Sequence, residues 1–399
     1  MNDPQLLTVV FPQEEAGEIS GRLEEVLKLA LDGVRNIVLT SAEETRRYFL
    51  EGEQPPGRFR PVLFVVALGR DGVNLEYMKL LRVLRENRTL LDGCAGGVVT
   101  DGESDLYTKA VSRELVFTAN QSGCAFVGRP LVEGTRTLSN FSVVAQILST
   151  DEETAYCRSA AELVREVLAF TRRGGAGAGD HFLGSGGSVH TVSEEADEAV
   201  PAHAADGRKK ILVLHASIRK TSNTLALWNR TEEFLKDAPL DIRTISLQNG
   251  TLYDCAGCPY RTCLHYGEQG SCFYGGVMAE EVYPAVREAD AIVMLCANYN
   301  DALSANLTAF INRLTALFRQ VRFYDKALFA VVVSGYSGSD IVAEQLIAAL
   351  NMNKTFFLPP RFALLETANN AGQAMKLPGI EDRIRVFAEN IKKTLIQQG

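Results

Sequence analysis

Ser217-Ile218-Arg219-Lys220-Thr221-Ser222-Asn223-Thr224 places four hydroxyls, an amide and two cations in eight consecutive positions. The run at 211–215 just before it is apolar, the pattern of a fully buried parallel strand. After it, Leu225, Trp228 and Leu235 fall on one helical face. A strand that turns through such a loop into a helix makes an anion site. The N–H groups of the first helical turn point outward, the macrodipole favours negative charge, and the hydroxyls add donors. A Ser- or Thr-capped helix with a solvated basic turn has the same composition, so the loop alone leaves both readings open.

A second stretch, Cys255-Ala-Gly-Cys258-Pro-Tyr-Arg-Thr-Cys263 and on to Cys272, holds four thiols within eighteen residues. A loop of this kind can wrap a [4Fe–4S] cluster, whose irons need four converging thiolates. Tetrahedral zinc would take the same sulfurs, with His265 as a spare nitrogen donor. Four unmetallated thiols are the third reading. Cys94, Cys124 and Cys157 are scattered and read as packing residues.

The elements that must position these residues follow from length and periodicity. A chain of 399 residues is too long for one ordinary domain. Its 46% hydrophobic and 23% charged residues are a normal globular composition, and a formal charge of −8 argues against a nucleic-acid footprint. Met1-Asn2-Asp3-Pro4 has no basic n-region, and no apolar run approaches the roughly 18 residues that span a bilayer. Without a signal, the eight cysteines read as thiols or metal ligands, and the expected location is cytoplasmic.

Residues 1–172 alternate strand and helix. Strands are expected at 6–11, 36–40, 61–68, 96–99 and 125–127, with an added edge strand at 141–148. Helices are expected at 19–31, 41–50, 74–86, 105–121 and 151–172. Residues 173–208 contain Gly-Gly-Ala-Gly-Ala-Gly and an acidic run, and are expected to form a flexible linker spanning on the order of 30 Å. The alternation resumes over 209–399, with strands at 211–215, 242–247, 291–297, 327–333 and 355–358 and a last helix at 379–396. The expected fold class is α/β: two tandem flavodoxin-like doubly wound parallel sheets joined by a Gly-rich linker. Asn74-Leu75 and Asn306-Leu307 open corresponding helices, and Asp92 and Asp325 precede the fourth strands, which reads as a tandem duplication.

Residues 209–399 resemble the NAD(P)H-dependent FMN reductase and iron–sulfur flavoprotein group. The resemblance rests on the 217–224 loop, the cysteine loop, Cys296-Ala297-Asn298-Tyr299 and the segment 304–314. It implies that Ser217, Arg219, Thr221, Ser222, Asn223 and Thr224 hold the FMN phosphate. Asn298, Tyr299 and Asn300 would lie along the isoalloxazine, and Ser334, Gly335, Tyr336 and Gly338 would complete the pocket. It also implies a flavin site near a homodimer interface. The cysteine spacing here, C-x2-C-x4-C-x8-C, departs from the C-x2-C-x2-C of the cluster-bearing relatives.

The function expected from all of this is an FMN-dependent oxidoreductase. NAD(P)H or a protein donor would supply electrons, and a small molecule or a ferredoxin-like protein would receive them. If Cys255, Cys258, Cys263 and Cys272 hold a cluster, electrons can leave singly. Hydride chemistry belongs to the flavin, so no catalytic acid or base is assigned. A non-enzymatic flavin electron carrier and a zinc-stabilised interaction protein with a vestigial flavin fold are the alternatives. In residues 1–172 the first strand is followed by Phe11-Pro12-Gln13-Glu14-Glu15, whose carboxylates would repel phosphate. The runs 100–104 and 128–130 read there as turns without ligand chemistry. That half is expected to be a flavin-free partner that covers the flavin or shapes a substrate cleft.

Overall fold

The computed structural model describes residues 5–14, 21–52, 59–174, 207–218 and 221–396. The chain divides into two compact units, Met1–Glu198 and Ala199–Gly399. Most of the expected linker, 175–206, lies outside the described residues.

In the first unit the order is β1 (Leu7–Val10), α1 (Gly21–Ala30), β2 (Asn36–Leu39), α2 (Ala42–Glu51), β3 (Arg60–Leu68) and α3 (Leu75–Glu86). It continues with β4 (Cys94–Gly102), α4 (Thr108–Gln121), β5 (Cys124–Gly134), α5 (Ser142–Leu148) and α6 (Glu152–Arg172). Helices α2, α3 and α6 start where a side chain takes up a free N–H group. Ser41 forms a capping box with Glu44, Asn74 accepts from Tyr77 N at 2.8 Å, and Asp151 accepts from Thr154 N at 2.7 Å. The five strands are parallel, in the order β2-β1-β3-β4-β5. Every residue of β4 is buried, as a strand covered on both faces requires.

The second unit runs β6 (Lys209–His215), α7 (Asn223–Leu235), β7 (Leu240–Ser246), α8 (Tyr260–Glu268), α9 (Tyr283–Glu288) and β8 (Ala291–Ala297). Then come α10 (Ala305–Leu317), β9 (Ala327–Ser334), α11 (Ser339–Leu346), β10 (Ala363–Thr367) and α12 (Ile380–Ile396). Its parallel sheet has the order β10-β9-β8-β6-β7. Numbered from the first strand of each unit, both sheets read 2-1-3-4-5, the flavodoxin-like doubly wound order. Trp228, on α7, is 1% exposed. Among the described residues no helix is long and apolar enough to cross a membrane.

Several sequence expectations are corrected. Residues 141–148 form no edge strand but a 3-10 turn and α5. Phe141, Val144 and Ala145 are buried while Val143 and Ile147 are exposed, so the β-branched run has helical spacing. Residues 100–102 end β4, and 128–130 lie within β5, where pairing shifts from Gly96 opposite Phe126 to Val98 opposite Leu131. Arg129 takes up that shift at φ 54°. Nor is 355–358 the fifth strand of the second sheet. Phe357 bonds Lys326 O and Leu328 N beside β9, but Pro359 and Pro360 follow without N–H donors, and regular pairing resumes only at Ala363.

Candidate functional site

In a 2-1-3-4-5 sheet the ligand crevice opens at the carboxyl ends of the strands, where the connection reverses direction. In the second unit that point lies between the neighbours β6 and β8. After β6, Ser217 is half-buried and Ile218 is 74% exposed; Arg219 and Lys220 lie outside the described residues. Thr221 is exposed, Ser222 is half-buried, and the Ser222 and Thr224 hydroxyls share a 2.9 Å hydrogen bond. Helix α7 has no acidic residue in its first turn, and the Ser222 side chain caps none of its N–H groups. This end of the helix is therefore set for an anion.

Asn223 has another task. Its Nδ2 donates to Ala368 O at 3.1 Å and to Asn370 O at 3.0 Å, and its Oδ1 accepts from Ala374 N at 3.2 Å. It joins the start of α7 to the loop after β10, so the structure uses its amide internally and not as a free phosphate donor.

The loop after β8 is a tight hairpin. Tyr299 and Ala302 bridge across Asn300 and Asp301, whose φ values are 54° and 58°. Two successive positive φ values give the twist that type I′ turns need, and Asn and Asp tolerate it. Tyr299 is 59% exposed at the edge of this turn, and Asn300 is exposed at its tip. Asn298, at the base, shares its NH2 group among Asp301 Oδ1 at 3.1 Å, Ser334 Oγ at 3.0 Å and Ser337 O at 3.0 Å. Its own Oδ1 is buried without a hydrogen-bond partner. The loop after β9 locks onto the same frame. Buried Ser334 accepts from Ser339 Oγ at 2.8 Å, and Gly338 stands at φ 85°, where a Cβ would lie 2.2 Å from Asp301 Oδ1. Only glycine fits there. Tyr336 projects from this loop at 82% exposure.

The structure thus brings together Asn298, Ser334 and Gly338, ties the start of α7 to the loop after β10 through Asn223, and leaves the two tyrosine rings exposed. Sequence reasoning missed Asp301, Ser339, Gln345 and Asn369. Gln345, from α11, donates to Asp301 O at 2.8 Å and accepts from Leu303 N at 3.1 Å. The consecutive Asn300-Asp301 pair was a readable turn signal; the helix-borne Gln345 left none.

His215 ends β6 at 8% exposure. Burial pushes its imidazole below the ordinary value, opposed by a hydrogen bond with the Ser217 backbone. Its Nδ1 has no hydrogen-bond partner. Two buried polar atoms, one at β6 and one at β8, therefore flank the crevice unsatisfied. With a helix N-terminus and hydroxyl donors beside them, the set fits a phosphate ester that carries a polar planar ring, as FMN does.

The cysteine stretch is not the wrapping loop expected. Cys263 sits within α8, Cys255 is exposed, and Cys258 and Cys272 are half-buried. Arg313 on α10 pins the segment by donating to Gly275 O at 2.7 Å, and Asn312 donates to Asp254 Oδ1 at 2.9 Å. Among the described residues no group of three or more His, Cys, Asp or Glu side chains is placed to hold a metal ion. His265 Nε2 stands 3.2 Å from Gln269 Nε2. In this arrangement the four thiols fit neither metal.

At the corresponding edge of the first unit lies a cavity of about 390 Å³, bordered by Phe11, Glu14, Asp71, Asn74, Asp101 and Glu103 among others. Among the described residues no Lys, Arg or His borders it. Glu14 Oε1 accepts from Leu75 N at 2.5 Å, so a carboxylate occupies the start of α3. Asp101 is held by Arg22 through two 2.9 Å bonds.

Residues 209–370 match the family model described as NADPH-dependent FMN reductase. No curated protein matches the sequence. Among solved structures, an FMN-dependent NADH-azoreductase from Bacillus anthracis str. Ames Ancestor in complex with FMN is similar over 46% of this chain and 99% of its own, at 11% identity and a TM-score of 0.33. An NAD(P)H:quinone oxidoreductase from Methanothermobacter marburgensis is similar over 46% of this chain and 96% of its own, at 14% identity and a TM-score of 0.35. RosB with bound 8-demethyl-8-formylriboflavin-5'-phosphate is similar over 47% and 78%, at 14% identity and a TM-score of 0.38.

Proposed function

We propose that this chain, whose residues 209–370 belong to the NADPH-dependent FMN reductase family, is an oxidoreductase that carries one FMN in its second unit and takes electrons from NAD(P)H. The observation that carries the reading is the pairing, at one crevice, of an acid-free helix start with the rigid Asn298–Ser334 frame, which keeps one amide oxygen buried and unsatisfied. When bound, the flavin supplies the hydride chemistry.

The residues of the chain bind and orient it. Ser217, Arg219, Thr221, Ser222 and the first N–H groups of α7 hold the phosphate; Thr224 orients the Ser222 hydroxyl. Asn298 Oδ1 accepts from a ring N–H, which relieves the cost of its burial. The exposed rings of Tyr299 and Tyr336 offer flat apolar faces.

Replacing Ser217 and Arg219 together by Ala tests the phosphate site. The double variant should lose FMN on gel filtration while the wild type retains it after reconstitution. In the wild type, anaerobic mixing with NADH or NADPH should bleach the flavin absorption. Retention of FMN by the double variant would mean that the phosphate sits elsewhere, and a flavin that neither nucleotide reduces would leave a carrier and not a reductase.

A further inference from the structure

Tyr336 is the most exposed of the large apolar and aromatic side chains that reach the surface among the described residues, at 82%. A ring so open to solvent would ordinarily sample several rotamers. This one is tethered: Asn369 Nδ2 donates to its hydroxyl at 3.0 Å. Asn369 comes from a different loop, the one after β10, and that loop is itself fixed on both sides of it. Asn223 donates to the carbonyls of Ala368 and Asn370, the two neighbours of Asn369, and Ala368 N donates to Ser334 O at 2.9 Å. Asn370 N donates to Gln373 Oε1 at 2.9 Å. On its far side Asn369 closes on Gly335, where an added Cβ would lie 3.0 Å from Asn369 Oδ1. A line of amides therefore runs from the first residue of α7, beside the anion loop, through Asn369 to the phenol of Tyr336.

A protein gains nothing in its own stability from holding an exposed ring still, because fixing a side chain costs entropy and buries no surface. A rigid aromatic does serve a planar ligand, since the ordering has been done before binding. We infer that Asn369 is a positioning residue, which holds the Tyr336 ring as a preformed face for the ring of the bound cofactor. This inference rests on the FMN reading of the second unit.

The experiment compares full-length wild type with Asn369→Ala, Asn369→Asp and Tyr336→Phe after FMN reconstitution. The readouts are FMN affinity and the fluorescence of the bound flavin, which a phenol ring held in contact quenches by electron transfer. Asn369→Ala should still bind FMN, with affinity lower by about 3- to 10-fold and fluorescence raised. Tyr336→Phe keeps the ring but loses the tether, so it should behave similarly, and adding Asn369→Ala to it should change little more. Asn369→Asp can accept a hydrogen bond from the phenol, and should restore quenching toward the wild-type level. Wild type that binds FMN with the same fluorescence as Asn369→Ala overturns this inference alone. Wild type that binds no FMN overturns the FMN reading and this inference together.

Discussion

Asn298 ties three partners with its NH2 group and leaves its carbonyl oxygen buried without one. An unsatisfied buried acceptor costs about 1–3 kcal/mol, which a fold retains where a ligand donor will meet it. Asn298→Ala removes both the frame and the acceptor. FMN affinity measured by fluorescence titration should fall by about fivefold or more, since leaving the ring N–H without its acceptor costs about 1–3 kcal/mol. An unchanged affinity would place the ring away from β8. His215 sets a pH dependence of the same crevice. Burial lowers its folded-state value below the ordinary 6.5, so between the two values the unfolded chain binds a proton that the folded chain refuses. Its contribution to stability is thus complete above about pH 6.5 and is lost as pH falls through the depressed folded-state value. Denaturant midpoints should decline as pH falls from about 7 to 5, and His215→Asn should flatten the decline; an identical slope in the variant would assign the effect to other groups.

At the scale of elements, the sheets hold their sites through close approach as much as through apolar runs. Gly96 of β4 faces the backbone oxygen of Val62 on β3, and a Cβ there would lie 2.8 Å from it. A backbone atom cannot swing aside as a side chain can. Gly96→Ala should therefore destabilise the first unit by about 1–3 kcal/mol in chemical denaturation, and a neutral result would show that the strands can part without cost. Periodicity reported most of this architecture: the apolar runs that became β3, β6, β8 and β9 were plain because strands buried on both faces need them. It failed where two signals compete. The run at 355–358 has strand composition, but the prolines behind it move the regular pairing on to Ala363. The β-branched residues of α5 concealed a helix, and the cysteine spacing concealed α8. In the candidate site, Ser217–Thr224 and Asn298–Asn300 stand out by composition as loop chemistry. Asn369, Asp301 and Gln345 do not, because their roles arise only when loops from separate strands meet.

At the scale of the whole molecule, the chain carries the same strand order twice with opposite electrostatics at the corresponding edge. In the second unit the helix start after β6 is free of acidic residues and stands beside the hydroxyls of Ser222 and Thr224. In the first, Glu14 fills the start of α3, the counterpart of α10, and Glu14, Asp71, Asp101 and Glu103 border the cavity. A phosphate ester therefore finds favourable partners in one unit and carboxylates in the other. The flavin content of the full-length protein tests this directly. Reconstitute with excess FMN, desalt, and measure the flavin absorption against protein concentration. The expected ratio is one FMN per chain, falling to none in the Ser217→Ala, Arg219→Ala double variant. A ratio of two, or one that survives the double substitution, would contradict the assignment of the flavin to the second unit alone.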